Sequence, residues 1–439
     1  MKQLAEHQKR ILALMDERDR LGIFAEAGTG KTMIALTYIY NHLISGDIND
    51  ALVVCPASLV PSWRLAIDRM EEFGYSAFDI DLMHDAVKLS SYQKVWKGVK
   101  KAGRRTYALR DDIDKAWGCI IVDESHKLGD PSSVQTRMML KLASHTDRRF
   151  IMTGTPDSTQ YTKLYGQLRF LFPMMWKSYH DFDIKYVISK NIFHKPIRYD
   201  VDALEDLKKR YGTVARLSEC FDMPDSIEID VPVELGAESV YHDFLDFDFS
   251  GYNIAAESAG IRYTKMLQCC SGFYLDDDGT PQRVACHKAD ALLSIVEGTS
   301  DKAVVFCSYR ESVNIVCEAL DKNHISFYRF DGTVKDPVWQ AFQKDDTRVI
   351  VVQFQRGSEG IDLFASNCMI FYEPTNQACL LEQSKARIMR KGQTRHCRYH
   401  FIYTEGTLEE RAMRSVRAGV DVSRALLDKW AADERDKKN

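Results

Sequence analysis

At 439 residues the chain is too long for one compact core, so two lobes are expected. Its 45% hydrophobic and 28% charged residues are ordinary globular composition, no apolar run reaches membrane-spanning length, and residues 1–10 carry no signal-peptide core, which sets membrane and secreted classes aside. A net charge of −4 speaks against a generally basic nucleic-acid coat but leaves room for a local basic groove.

Leu4, Ile11, Leu12 and Met15 fall at helical spacing and predict an opening amphipathic helix. Residues 21–24 read as a short buried strand that runs into Ala25-Glu26-Ala27-Gly28-Thr29-Gly30-Lys31-Thr32. This is a strand–loop–helix phosphate cradle. Ala27, Gly28, Thr29 and Gly30 let the backbone wrap a polyphosphate, and the positive end of a helix opening at Lys31 holds the anion. Lys31 neutralises the β- and γ-phosphates of ATP in such a cradle, and the Thr32 hydroxyl ligates Mg²⁺.

Strands are predicted at 51–55, 80–83, 119–122 and 149–152, and helices at 61–73 and 133–142. Their alternation is that of a parallel sheet wrapped by helices. The strand at 119–122 delivers Asp123 and Glu124 to its C-terminal edge, Asp123 to hold the metal and Glu124 to orient and deprotonate an attacking water. Cradle and carboxylate pair together predict nucleoside triphosphate hydrolysis. Residues 94–110 hold Lys94, Lys97, Lys100, Lys101, Arg104, Arg105 and Arg110 without an acid, with Tyr92, Trp96 and Tyr107 nearby. Such a run either tracks a phosphate backbone or is a solvated loop. Thr153-Gly154-Thr155-Pro156 ends a strand, where hydroxyls can relay the state of the nucleotide.

From 173 to 224 the rhythm breaks into aromatic and charged segments without clear strands, read as a helical insertion and connection. A second alternating block follows, with strands at 303–306, 326–329, 349–352, 369–372 and 398–402. Helices are predicted at 311–322, 378–389, from 408 onward, and as a bracing tail at 420–430. On the helix at 378–389, Gln383, Arg387 and Arg390 share one face, and two guanidinium groups can stabilise charge on a γ-phosphoryl group in the transition state. Lys385, Lys391, Arg395 and Arg398 extend that basic set. The eleven cysteines include no C-x-x-C pair and lie mostly in apolar elements, which points to buried thiols in a reducing cytoplasm. The resulting division is a nucleotide-binding lobe at 1–172, an insertion and linker at 173–225, and a second lobe with its helical brace at 226–439.

In this order the motifs resemble the superfamily-two helicases, and within them the SNF (sucrose-non-fermenting) family of double-stranded DNA translocases. The resemblance implies two RecA-like lobes, each an α/β parallel sheet wrapped by helices. Gln8 sits where the family reads adenine, and Leu52-Val53-Val54-Cys55-Pro56-Ala57-Ser58-Leu59 with Trp63 looks like its first DNA-contacting motif. Ser90-Ser91-Tyr92 looks like the next. Asp123-Glu124-Ser125-His126 matches the catalytic box with Ser in place of the usual Ala, a form found among annealing and branch-migrating members. Met152-Thr153-Gly154-Thr155-Pro156 matches the coupling motif.

In the second block, Val305-Phe306-Cys307-Ser308-Tyr309, Asp331-Gly332-Thr333 and Gly357-Ser358-Glu359-Gly360-Ile361-Asp362-Leu363 stand in family order. Tyr403-Thr404-Glu405-Gly406-Thr407-Leu408-Glu409-Glu410-Arg411 is close to an SNF hallmark. The resemblance implies nucleotide contacts from Gly360 and Asp362, and coupling through His126, Thr153, Thr155 and Gln383. It implies DNA grips at Ser58, Trp63, Ser91 and Tyr92, matched by Ser308, Tyr309 and Arg310.

Thr375-Asn376-Gln377 replaces the family's Trp-Asn-Pro, Met389 its usual histidine, and Ala25-Glu26 its Asp-Glu. With short insertions and no histone-reading module, the pattern implies a minimal DNA motor of prokaryotic or viral type. Such a motor is expected to act as a cytoplasmic monomer without membrane association, on double-stranded or branched DNA, with ATP and Mg²⁺. Alternate grips on the two strands would move it along the duplex, to remodel forks, branches or protein–DNA complexes. The rival readings are a strand-separating or branch-migrating helicase of the same superfamily, on DNA or RNA, and an inactive scaffold for branched DNA.

Overall fold

A computed structural model describes residues 2–101, 104–156, 161–190, 196–246, 259–333, 338–357, 361–390, 392–423, 426–427, 429–430 and 433. The chain forms two compact units, Met1–Asp222 and Met223–Asn439.

The first unit carries β1 (Arg20–Ala25), β2 (Ala51–Cys55), β3 (Val87–Ser91), β4 (Trp96–Lys101), β5 (Arg104–Leu109), β6 (Cys119–Asp123), β7 (Arg149–Thr153), β8 (Val187–Lys190), β9 (Pro196–Tyr199) and β10 (Gly212–Ala215). Six of these form one parallel sheet in the order β10-β1-β7-β6-β2-β3. The strands are near-continuous apolar runs because both faces are covered. Leu21, Ile23, Val53 and Ile121 enter one core, while Phe24, Leu52, Val54, Ile120 and Val122 enter the other. β4 and β5, and β8 and β9, form two separate antiparallel hairpins.

The second unit repeats the plan with β11 (Ser226–Val233), β12 (Phe273–Leu275), β13 (Pro281–Arg283), β14 (Ala303–Cys307), β15 (Phe327–Phe330), β16 (Val349–Gln353), β17 (Cys368–Phe371) and β18 (Cys397–Thr404). Its six-stranded parallel sheet runs β11-β18-β17-β14-β16-β15. Val304, Phe306, Ile350 and Val352 face one core and Ala303, Val305, Val349 and Val351 the other. Both sheets are the helix-wrapped, RecA-like arrangement that the motifs implied.

Three local expectations are corrected. Residues 80–83 are not a strand but part of the helix Ala77–Ala86. Ser76 caps it, accepting from Asp79 N, while the Asp79 carboxylate accepts from Ser76 N and Oγ, a capping box that overrides the short apolar run. The sheet strand is β3, just beyond it. The segment after 173 does contain strands, and β10 joins the first sheet against β1, with Gly22 opposite Gly212. Trp176, Phe182, Tyr186 and Leu204 from this segment are buried in the first unit's core. Finally, the helix expected at 378–389 is Ala378–Lys385; tight turns follow, with Arg387 N bonded to Ser384 O. The bracing tail lies partly outside the described residues, but Leu427 is buried in the second unit's core and Trp430 packs against it. No helix among the described residues is long and apolar enough to cross a membrane.

Candidate nucleotide site and its partner motifs

Parallel α/β sheets present ligands at the C-terminal ends of their strands, and three neighbouring strands of the first sheet do so here. β1 ends in the cradle, β7 in Thr153, and β6 in Asp123. The cradle turns through two left-handed glycines, Gly28 at φ 89° and Gly30 at φ 83°, before the helix Lys31–Ile44. Lys31 Nζ donates to its own loop, to Ala25 O at 2.6 Å and Glu26 O at 3.1 Å. The ammonium is thus held over the cradle by neutral carbonyls. Thr32 follows, half-buried, in the first turn of that helix.

The opening helix Glu6–Glu17 supports the loop from behind. His7 Nε2 donates to Thr29 O at 2.8 Å and Gln8 Nε2 to the same oxygen at 3.1 Å. A Cβ on Gly30 would lie 2.1 Å from Gln8 Nε2, so glycine there serves both the backbone angle and the approach of Gln8. Glu26 takes a further role, accepting from Leu217 N at 2.8 Å.

Asp123 is 6% exposed. Its Oδ2 accepts from the Trp63 indole N–H at 3.0 Å and its Oδ1 from Glu124 N at 2.9 Å. Burial, then the adjacent Glu124 charge, push its carboxyl up to about 6, against the pull of Lys31. Two adjacent carboxylates at one strand end, Asp123 buried and Glu124 partly so, suit an oxygen-seeking cation. Mg²⁺ commonly takes one or two carboxylates plus substrate phosphates, so Asp123 and Thr32 fit its protein share. Glu124 sits in the left-handed region at φ 49°, uncommon for a residue other than glycine. Its Oε2 lies 3.2 Å from His126 Nδ1, which is 3.0 Å from Thr153 Oγ1, and Thr153 Oγ1 in turn accepts from Thr155 N at 3.2 Å. Glu124, His126, Thr153 and Thr155 therefore form one connected chain of polar groups.

Two of the expected DNA grips are corrected. Trp63 and Tyr92 are each 1% exposed, and Tyr92 donates its hydroxyl to Asp123 O at 2.8 Å. Buried rings tied to the carboxylate strand position it and present no face to a ligand. Ser91 is buried beside them at 4% exposure, while Ser58 is exposed.

In the second unit, Arg387 and Arg390 each donate to Ile361 O, at 3.2 and 3.1 Å, and Arg390 also pairs with Asp362. Arg387 Nε is held by Gln383 O at 2.9 Å, one turn back. Burial lowers the Arg390 guanidinium to about 10. The structure thus brings Gln383, Arg387, Arg390 and Asp362 together; Gly360 lies outside the described residues. Ser308 N and Tyr309 N, at the mouth of the helix Arg310–Lys322, both donate to Glu373 Oε1, at 2.7 and 2.9 Å. Ser312 Oγ donates to the other oxygen at 2.8 Å. Beneath it, Lys288 and Glu409 form an ion pair at 0% and 1% exposure. Tyr309 packs its ring edge-on to Phe273, and Arg310 is exposed.

Sequence reasoning missed His7, Gln167, Lys288, Glu373 and Glu409. Gln167, fully buried, accepts from Ser125 Oγ at 2.8 Å and donates to Pro156 O at 2.5 Å, linking the catalytic box to the coupling motif. The serine in that box was its one visible signal.

The model of the SNF2-related domain matches residues 7–223, and that of the helicase conserved C-terminal domain matches residues 287–392. The chain belongs to the SNF2 family of helicase-like ATPases. It is 23% identical to the human DNA annealing helicase and endonuclease ZRANB3, over 97% of this chain and 41% of that protein. It is likewise 23% identical to the DNA repair and recombination protein RAD54-like of Drosophila ananassae, over 93% of this chain and 60% of that one. The chain therefore spans less than two thirds of the length of these curated relatives. The solved Sulfolobus solfataricus SWI2/SNF2 ATPase core in complex with dsDNA aligns over 99% of this chain and 94% of that one, at 19% identity and a TM-score of 0.43.

Proposed function

We propose that the chain hydrolyses ATP to translocate on double-stranded DNA and so remodels forks, branches or protein–DNA complexes. The observation that carries this reading is the set of polar groups at the ends of three adjacent strands. Lys31 stands over a glycine cradle, Asp123 and Glu124 lie on β6, and His126 and Thr153 join Glu124 to the coupling motif. Lys31 and the cradle N–H groups bind the triphosphate, and Glu124 takes the proton of the attacking water. Asp123 and Thr32 would hold Mg²⁺, which would neutralise phosphate charge when bound. Arg387 and Arg390 stabilise the charge that develops on the γ-phosphoryl group, and Gln383 holds Arg387 in place. The strained Glu124 backbone and its link through Thr153 carry the state of the nucleotide to the rest of the motor.

Two relatives named for DNA annealing and for DNA repair and recombination support branched or duplex DNA as the track. Ser58, Ser308, Tyr309 and Arg310 remain the proposed grips, with Trp63, Tyr92 and the likewise buried Ser91 moved to positioning roles. Phosphate contacts carry no base code, so sequence preference is expected to be small and salt dependence strong. The motor is assigned to a prokaryotic or virus-infected cytoplasm, where both ATP and DNA are at hand. The test is ATPase rate on single-stranded, duplex, forked and four-way DNA, side by side. Strong stimulation by duplex or branched DNA, abolished by Lys31→Ala, is the expected result. Absence of stimulation overturns the reading, and efficient displacement of short tailed duplexes converts it to a strand-separating helicase.

A further inference from the structure

The basic run at 94–110 is neither a loop nor part of the sheet. Trp96–Lys101 and Arg104–Leu109 pair antiparallel as β4 and β5, each about 20 Å long at ordinary strand rise. The hairpin begins five residues beyond Ser91, at the C-terminal edge of β3 where the family's DNA motif lies. Its root is fixed: Val95 and Leu109 are buried in the first unit's core, and Arg110 N bonds to Val95 O at 3.0 Å. The root is also neutralised, since Lys97 pairs with Asp111 at 2.6 Å and Arg110 with Asp112 at 3.4 Å.

The far end is different. The register sets Lys100 directly opposite Arg105. Like charges facing across a ladder destabilise it. Lys100 and Arg105 are exposed, and neither has an ion pair among the described residues. Gly98, two residues before Lys100, leaves the space over which the Arg105 side chain lies; a Cβ there would be 3.7 Å from Arg105 Nε. Trp96 and Tyr107, both half-buried, meet each other edge-to-face at 5.2 Å and 89°. A projecting element whose exposed end carries facing cations, with its two aromatic rings engaged with each other nearer the root, suits a polyanion read by its phosphates.

We propose that the β4–β5 hairpin is a phosphate-backbone contact for duplex DNA, with Lys100 and Arg105 as its charged pair. This rests on the DNA-motor reading above and adds a subsite to it. The repulsion between the two cations is relieved when DNA phosphates come between them, so the hairpin is stabilised by its ligand.

The experiment measures equilibrium binding of the full chain to a labelled duplex over a salt series, with thermal unfolding of the same samples. Lys100→Gln with Arg105→Gln is expected to weaken duplex binding several-fold at low salt and to make the log–log salt slope less negative by about one to two, as for two lost phosphate contacts. The free variant is expected to melt no lower than wild type, because a like-charge pair has been removed. Lys100→Arg with Arg105→Lys, which keeps both charges, is expected to restore binding. An unchanged salt slope, a lowered melting temperature, or an equal loss on single-stranded DNA overturns the proposal. A wild-type chain that binds duplex through these residues without duplex-stimulated ATPase overturns the motor reading and leaves the hairpin contact standing.

Discussion

The indole N–H of Trp63 donates to Oδ2 of Asp123 across 3.0 Å, from a ring that is 1% exposed. Trp63→Phe removes that donor and also shrinks a buried core ring, so a packing loss adds to the lost hydrogen bond. A hydrogen bond to a charged group is worth about 1.5–3 kcal/mol, so unfolding free energy is expected to fall by that order. The loss also moves the Asp123 carboxyl further up from about 6. The acid limb of the ATPase profile should shift to higher pH, with the largest deficit near pH 6 and partial recovery in alkali. A pH–rate series on the variant checks this.

Asp123 also shapes stability against pH. Its folded-state value of about 6 lies above the ordinary 3.8, so the folded chain holds a proton that the unfolded chain has released. Stability therefore falls as pH rises from about 4 to about 6 and is flat above, by at most about 3 kcal/mol for two pH units. Asp123→Asn has no proton to lose and should lack that slope while abolishing hydrolysis. Urea unfolding at several pH values compares the two; identical slopes would contradict the assignment.

Gly30→Ala meets two obstacles, a left-handed backbone at φ 83° and Gln8 Nε2 at 2.1 Å. The backbone term alone costs about 1–2 kcal/mol. Displacing Gln8 should also weaken nucleotide binding through its bond to Thr29 O. In a Gln8→Gly background the same change is expected to cost less, with a coupling of about 0.5–3 kcal/mol in a double-mutant cycle. Nucleotide titration and thermal unfolding of all four proteins check it.

Arg387 donates to Ile361 O and Gln383 O, both within its own unit. If it serves the transition state, Arg387→Ala should lower kcat by about 10³ and leave KM for ATP within a few-fold. Steady-state kinetics at saturating DNA separate this from a binding role, which would raise KM instead.

Lys288 is fully buried against Glu409, and Glu373 leans on the same charge. Lys288→Met leaves two interior carboxylates facing no cation, a defect of about 3–5 kcal/mol. Hydrogen exchange should show the loosening confined to the second unit. Protection unchanged there would mean that water or another donor compensates.

Much of the site was readable because it is local. The cradle, the Asp123-Glu124 pair and the strands that carry them lie in continuous segments with their own spacing. What escaped depends on partners far off in the chain. Nothing near Trp63 announces a carboxylate sixty residues on, and Lys288 meets Glu409 more than a hundred residues away. The apolar residues Ile80, Leu82 and Met83 mimicked a strand because the deciding signal, the Ser76–Asp79 cap, precedes them. The β4–β5 hairpin was hidden by its own charge: Lys97, Lys100, Lys101, Arg104 and Arg105 interrupt the apolar rhythm by which strands are found. The helix bearing Gln383 was foreseen, yet its two arginines stand in the turns after it, where Ile361 O ties them down.

The carboxylate of Glu373 occupies, in the second unit, the place a phosphate would take in the first: it receives two backbone N–H groups just before a helix that follows a central strand. A resident side chain cannot diffuse away, so that seat is permanently filled. If the first unit's cradle is the fuel site, a triphosphate titration is expected to saturate at one per chain, even though the chain carries two sheets of the same kind.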